Sequence, residues 1–239
     1  MTTGIGTRAT VDHPLSEVLT RAATGSFPPA DGAVSFLPEL PDGHRAIVAL
    51  TGHAYIAAGL DADDFDGLAP DGFGRALAPS VVLRVADGGV VGVNDVILVA
   101  PGTGAGVRAP TTSRWDDHHR VRHARHLRSE VVVHGDERGF VTIGRGLAGR
   151  REMSIEIADA STSAGLGRSL ILDARGAVPT GEHLFAAVAP GNARSLRAFL
   201  AAGFTPIGSE IIIDRSVVST TTGEPTSGGR DAVPNVDGR

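Results

Sequence analysis

Between Met153 and Ile213 the sequence alternates apolar strand-like runs with amphipathic helical ones, and a two-glycine turn sits at the first junction. No other stretch narrows the fold as much. Met153-Ser154-Ile155-Glu156-Ile157 reads as a strand. Ala164-Gly165-Leu166-Gly167-Arg168 then opens a helix. Two close glycines let main-chain N–H groups turn toward one point without Cβ interference. The first N–H groups of the helix have no internal partner and lie at the positive end of its dipole. Together these make a phosphate cradle. Ser161, Thr162 and Ser163 add hydroxyl donors before the turn, and Arg168 adds a charge just past it. An isolated Gly-x-Gly is also a plain strand-to-helix connection, so the downstream sequence decides. Leu184-Phe185-Ala186-Ala187-Val188-Ala189-Pro190 reads as a buried parallel strand. Asn192 stands at a natural N-cap, Leu196, Phe199 and Leu200 recur at helical spacing, and Gly203 is placed as the helix stop. Residues 207–213 read as a further strand.

This order resembles the C-terminal half of the GNAT superfamily of N-acetyltransferases, over roughly residues 116–214. Two motifs carry the resemblance. The family's cofactor loop, Arg/Gln-x-x-Gly-x-Gly/Ala, aligns with Thr162, Ser163, Ala164, Gly165, Leu166 and Gly167, with Arg168 next. Its later Asn and Gly-Phe pattern aligns with Asn192 and Gly203-Phe204. The resemblance implies an α/β (α+β) fold with a mixed, mostly antiparallel sheet flanked by helices. It implies acetyl-CoA as co-substrate, held by those loop residues, by Asn192 and by the main chain of Ile157 at the acyl carbonyl. It implies a small-molecule or peptide amine as acceptor, and it is compatible with a homodimer. Two positions depart from the family. Thr162 replaces the leading Arg or Gln, and Phe199 stands where many members carry a Tyr as general acid. A phenyl ring cannot donate a proton. The alternative reading is therefore an acyl-CoA-binding sensor or interaction protein that has lost catalysis.

Glu152, Ser154 and Glu156 alternate along one strand face beside the expected thioester. Glu156 is the first choice of general base, acting through water, and Glu152 the second. A bulge in the strand would exchange them, and a charged surface strand is the competing explanation.

At 239 residues the chain can hold two small domains or one large one. The expected division is an N-terminal α/β domain of unknown role over 1–105, the acetyltransferase-like domain over 106–215 and a disordered tail over 216–239. The Gly/Pro/Thr stretch 101–112 supplies the boundary. Strands are expected at 33–37 and 46–50, short helices at 61–68 and 73–78, and a charged helix at 116–128. Residues 80–85 and 90–100 are rich in Val and Ile around a turn at Asp87-Gly88-Gly89. There is no cysteine, hence no disulfide and no thiolate ligand or nucleophile. A formal net charge of −5 argues against nucleic acid as a general partner. No apolar run is long enough for a membrane span, and residues 1–14 lack a secretion signal, so a cytoplasmic location is expected. Lysine is absent, and with abundant Ala, Gly and Val this suggests a bacterium with GC-rich coding DNA.

Two histidine patterns stand out. His53 and Tyr55 share a strand face and either line a cleft or pack an edge. His119, His123 and His126 fall on one helix face at spacing that suits a metal. The interleaved Arg120, Arg122, Arg125 and Arg128 oppose a dication and favour a solvated charged face, so no metal is expected. Contact between this face and an acidic or polar substrate stays open.

Overall fold

The computed structural model describes residues 13–158 and 165–216. In chain order the elements are α1 (Pro14–Ala23), β1 (Val34–Leu37), β2 (Arg45–Leu50), β3 (His53–Ala57), α2 (Pro79–Ala86), β4 (Val90–Val91), β5 (Asp95–Pro101), α3 (His119–Leu127), β6 (Ser129–Asp136), β7 (Gly139–Arg145), β8 (Arg151–Ile157), α4 (Leu166–Ala177), β9 (His183–Val188), α5 (Ala193–Ala201) and β10 (Thr205–Asp214). The result is a mixed α/β fold with an open, mostly antiparallel sheet. Its order is β1-β3-β2-β10-β5-β9-β8-β7-β6, with β4 beside the end of β10. The parallel pairs are β1 with β3 and β8 with β9.

Strand β10 lies between β2 and β5, so strands from both sides of residue 105 share this sheet. The stretch 101–112 runs along the C-terminal elements. Thr103 N–H donates to Arg175 C=O, Gly106 N–H to Gly176 C=O and Thr112 N–H to Val133 C=O. The tail expected from 216 lies, beyond Ser216, outside the described residues.

Side-chain alternation sorts the strands' residues into two cores. On one face Leu98, Met153, Leu170, Ile171, Leu184 and Phe199 pack beneath α4 and α5. On the same face Ile47, Ile211 and Ile213 receive α2 through Val81, Val82 and Val85. On the opposite face Ile97, Val99 and Phe185 pack under Leu15 and Leu19 of α1, and Phe140 and Val133 meet Val121 of α3. The Val-rich segment 80–85 is helical: Pro79 starts it at the first turn, where a missing N–H costs nothing. Asp87, left-handed at φ 46°, ends it. The expected helices at 61–68 and 73–78 shorten to single 3-10 turns at Ala62–Phe65 and Arg75–Leu77.

Strand β8 and strand β9 are in register only at Glu152 and Phe185. Beyond that pair they part, and the opening positions the candidate site. Arg138, in the turn between β6 and β7, anchors α4 beside it. Its Nη2 lies 2.5 Å from Asp173 Oδ2 and its Nη1 lies 2.5 Å from Ser169 Oγ.

Candidate active site

A cleft of about 570 Å³ occupies the parting of β8 and β9. Its apolar side is Ile155, Ala187, Val188, Ala189 and Phe199. Its polar side brings together Asp95 of β5, Arg120, His123 and His126 of α3, Glu152 and Ser154 of β8, and Glu210 and Asp214 of β10. Asn192 and Ser195 line it at the start of α5.

Backbone phase sets the cleft edge of β8. Ala158 N–H donates to Arg138 C=O across the β7 side. In an antiparallel ladder the direction of N–H and C=O alternates with each residue. Ile157 and Ile155 therefore present theirs to the β9 side, where the strands have parted.

Gly165 is the N-cap of α4, left-handed at φ +82°. The first intrahelical bond runs from Ser169 N–H to Gly165 C=O at 3.0 Å, leaving the N–H groups of Leu166, Gly167 and Arg168 ahead of the ladder. A Cβ on Gly167 would lie 3.2 Å from Ile157 Cδ1, so this glycine sets how closely α4 sits on β8. Arg168 turns to α5, its Nε donating to Ala201 C=O at 2.9 Å. Thr162, Ser163 and Ala164 lie outside the described residues.

Asn192 caps α5: its Oδ1 accepts from Ser195 N–H at 3.1 Å. That leaves the carboxamide NH2 unused by the cap, on a residue that lines the cleft. Serine caps a helix as well as asparagine does. Asn192→Ser should therefore leave the melting temperature nearly unchanged while acetyl-CoA affinity falls in calorimetric titration. If both quantities drop together, or neither moves, Asn192 is only a cap.

The two glutamates expected as bases have different surroundings. Glu156 ion-pairs with Arg120 of α3 at the polar rim of the cleft. Glu152 is buried and held on three sides: Arg150 Nε at 2.7 Å, Arg128 Nε at 2.9 Å and Leu147 N–H at 3.0 Å. Burial pushes its carboxyl up, but the two guanidiniums outweigh it and hold the group at about 2. A carboxylate so held is a poor proton acceptor near neutrality, and its position makes it an anchor of the cleft wall.

Asp95 is the residue that the sequence pattern did not single out. It begins β5, is half-buried, and stands opposite Glu210 of β10. Burial, then the Glu210 charge, pushes its carboxyl up to about 6. The one available signal was an acidic residue at the head of an apolar strand. Burial pushes the His123 imidazole down, helped by Arg128, His126, Arg120 and His119. Asp95 is thus suited to accept a proton near neutral pH, and the His123 imidazole is biased toward its neutral form.

Phe199 is buried, meets Phe204 edge to face at 5.0 Å, and offers the cleft a hydrocarbon surface. His53 and Tyr55 share a face, with ring centroids 4.8 Å apart, but on β3, beyond β2 from the cleft. His53 is bonded at both nitrogens, to Asp31 Oδ1 and Ser35 Oγ, each at 2.9 Å. These contacts tie β3 to the edge strand β1.

Among solved structures, the chain is similar to an acetyltransferase from the GNAT family of Colwellia psychrerythraea. The identity is 9% and the TM-score 0.33, over 54% of this chain and 59% of that one. It is also similar to a GCN5-related N-acetyltransferase from Kribbella flavida, at 13% identity and a TM-score of 0.34, over 57% of this chain and 64% of that one. The chain thus matches about three fifths of the length of each. No family model matches the sequence, and no curated protein matches it.

Proposed function

We propose that this protein is an N-acetyltransferase that moves an acetyl group from acetyl-CoA to an amine. The observation that carries the reading is the parting of β8 and β9 in front of the glycine start of α4, with proton acceptors on the opposite wall. The residues suit the co-substrate. The leading N–H groups of α4 receive phosphate, Ile155 and Val188 flank an apolar arm, and the cleft-side amides of β8 take the acyl oxygen. Acetyl-CoA supplies the activated acyl group. The chain's own part is to orient the acceptor and remove its proton. Asp95, protonating at about 6, accepts that proton directly or through one water. Its neighbour Glu210 keeps it basic enough for the task, and neutral His123 stands on the facing helix. Glu156 orients Arg120, which attracts an anionic or polar acceptor group.

Phe199 bears on the rate. With a phenyl ring at the usual acid position, the thiolate leaves with help from water or Ser195, or without an acid. A thiol pKa of ~8.5 makes that departure feasible but slower. A chain that binds acetyl-CoA yet releases no CoA with any amine would instead be a binding protein.

Gly165→Asp tests the cofactor site. The substitution adds a charge at a left-handed position that opens α4. Gly165→Asn controls for the backbone, since Asn tolerates that region as Asp does. A negative charge against phosphate at a helix N-terminus costs up to ~2 kcal/mol, or about thirtyfold in affinity. Calorimetry should show Asn close to wild type and Asp weakened by that order. Equal affinities for all three proteins would remove the phosphate site from α4.

A further inference from the structure

At the α3 rim of the cleft, three elements far apart in sequence bring two imidazoles and a carboxylate together. They are His44 at the entry to β2, His126 in the last turn of α3 and Asp214 at the end of β10. One ligating atom from each lies within 4.8 Å of the other two. Among the described residues this is the one group of three His, Asp or Glu side chains so arranged. His126 Nε2 is 2.5 Å from Asp214 Oδ2, and His44 Nε2 is 3.8 Å from Asp214 Oδ1. Ligands about 2.0–2.1 Å from a tetrahedral zinc stand roughly 3.3 Å from each other, and these separations bracket that value. The i, i+4, i+7 trio expected on α3 is not the group. His119 stacks on His118 with centroids 4.5 Å apart, while His123 and His126 line the cleft.

We propose that His44, His126 and Asp214 form a site for a divalent transition-metal ion of the zinc class, with its remaining position open to the cleft. A second observation points the same way. Among the described residues both ring nitrogens of His44 are buried without a hydrogen-bond partner, and a buried polar group is rarely left so. Nδ1 lies 3.2 Å from Asp42 Oδ2, near but outside hydrogen-bond geometry. The other nitrogen, Nε2, is the one nearer Asp214. A carboxylate behind a histidine is the usual outer partner of a metal-bound imidazole, fixing its tautomer and raising its basicity. The arginines that follow His44 and Asp214 in the sequence are both engaged. Arg45 Nε pairs with Glu39 at 2.9 Å, and Arg215 Nη1 with Asp87 at 2.9 Å. His126 is half exposed and, with Asp214, lines the cleft, so an ion has an entry path. Two His and one carboxylate with an open fourth position is a donor set that binds zinc and leaves room for water or a substrate group. The inference stands on this geometry and does not depend on acetyl transfer.

The test is a titration of zinc sulfate into the chelator-treated full chain, followed by calorimetry, with cobalt(II) absorption as the second readout. One ion per chain is expected, with the intense visible bands of four-coordinate cobalt. His44→Gln and Asp214→Asn should each abolish the saturable event and the cobalt bands, while circular dichroism shows the fold retained. Asp42→Asn should weaken binding by about 10–100-fold. His119→Ala should leave it intact. The proposal fails if zinc gives no saturable event, if cobalt stays octahedral, or if His44→Gln binds as wild type does.

Discussion

Asp95→Asn is expected to lower the rate of acetyl transfer by about 10²–10⁴-fold, the usual contribution of a positioned acid–base group, and to remove the acid limb of the pH–rate profile. Asparagine keeps the shape of the aspartate and loses its proton affinity. The wild-type rate should rise with pH through about 6, where burial and then the Glu210 charge place the Asp95 carboxyl. Below that value Asp95 is protonated and cannot accept the amine's proton. Above it, the remaining pH dependence is that of the amine itself. In the variant the rate should follow the amine alone, so the two proteins approach each other at high pH. Acetyl-CoA affinity should be unchanged, because Asp95 lies on β5, across β9 from β8 and α4. Glu156→Gln provides the comparison. If Glu156 were the base, that variant would lose the limb and Asp95→Asn would keep it. Stopped-flow detection of CoA thiol between pH 5 and 9 measures both. An unaltered profile in Asp95→Asn would dismiss it as the base.

The contrast between Asp95 and Glu152 marks the boundary of what the sequence discloses. The alternation of Glu152, Ser154 and Glu156 is legible, and Glu152 and Ser154 do line the cleft. Their protonation behaviour depends on residues from other elements. Glu152 meets Arg150 and Arg128, and Asp95 meets Glu210, through contacts that no local period encodes. The periodic elements were legible for a physical reason. Strands β8 and β9 and helix α5 carry runs whose apolar spacing admits one assignment, and Gly203, at φ +84°, ends α5 as expected. Helix α2 is the counterexample. Val81, Val82, Val85 and Ala86 are buried at helical spacing, but β-branched residues in a short run look like a strand. The insertion of β10 between β2 and β5 was not legible either. Sequence order fixes neighbours along the chain, whereas pairing between distant strands is decided by which edges the core leaves open.

The buried charge cluster behind the cleft should have the largest effect on stability, and it tests the electrostatic account directly. Arg150 is almost fully enclosed. Its Nε lies 2.7 Å from Glu152, its Nη2 lies 2.6 Å from Glu210, and its guanidinium sits over Phe185 at 5.1 Å from the ring centroid. Glu210 Oε2 has no hydrogen-bond partner, and burial pushes the Glu210 carboxyl up despite Arg150. Arg150→Met keeps much of the side chain's bulk and removes its charge, stranding the buried Glu210 carboxylate and leaving Glu152 to Arg128 and the Leu147 N–H. Breaking a buried pair from one side typically costs ~3–5 kcal/mol, and denaturant unfolding at pH 7 should show a loss of that order. The pH dependence supplies the sign. In the wild type Glu152 sits at about 2 in the folded state, below its unfolded value. Its contribution is therefore present above the ordinary carboxylate range and lost as pH falls toward 2. Glu210 is raised, so its contribution is present at low pH and lost as pH rises through its folded value. Without Arg150 the Glu210 carboxyl rises further and Glu152 loses one of the two guanidiniums that hold it low, so the balance shifts toward the folded state at lower pH. The variant should accordingly regain stability between pH 7 and 5, in a window where the wild-type Glu152 contribution is flat or falling. A deficit below about 1 kcal/mol at pH 7, or a variant whose stability tracks wild type across that window, would show that the cluster is solvated and that Arg150 does not set the charge of the cleft wall.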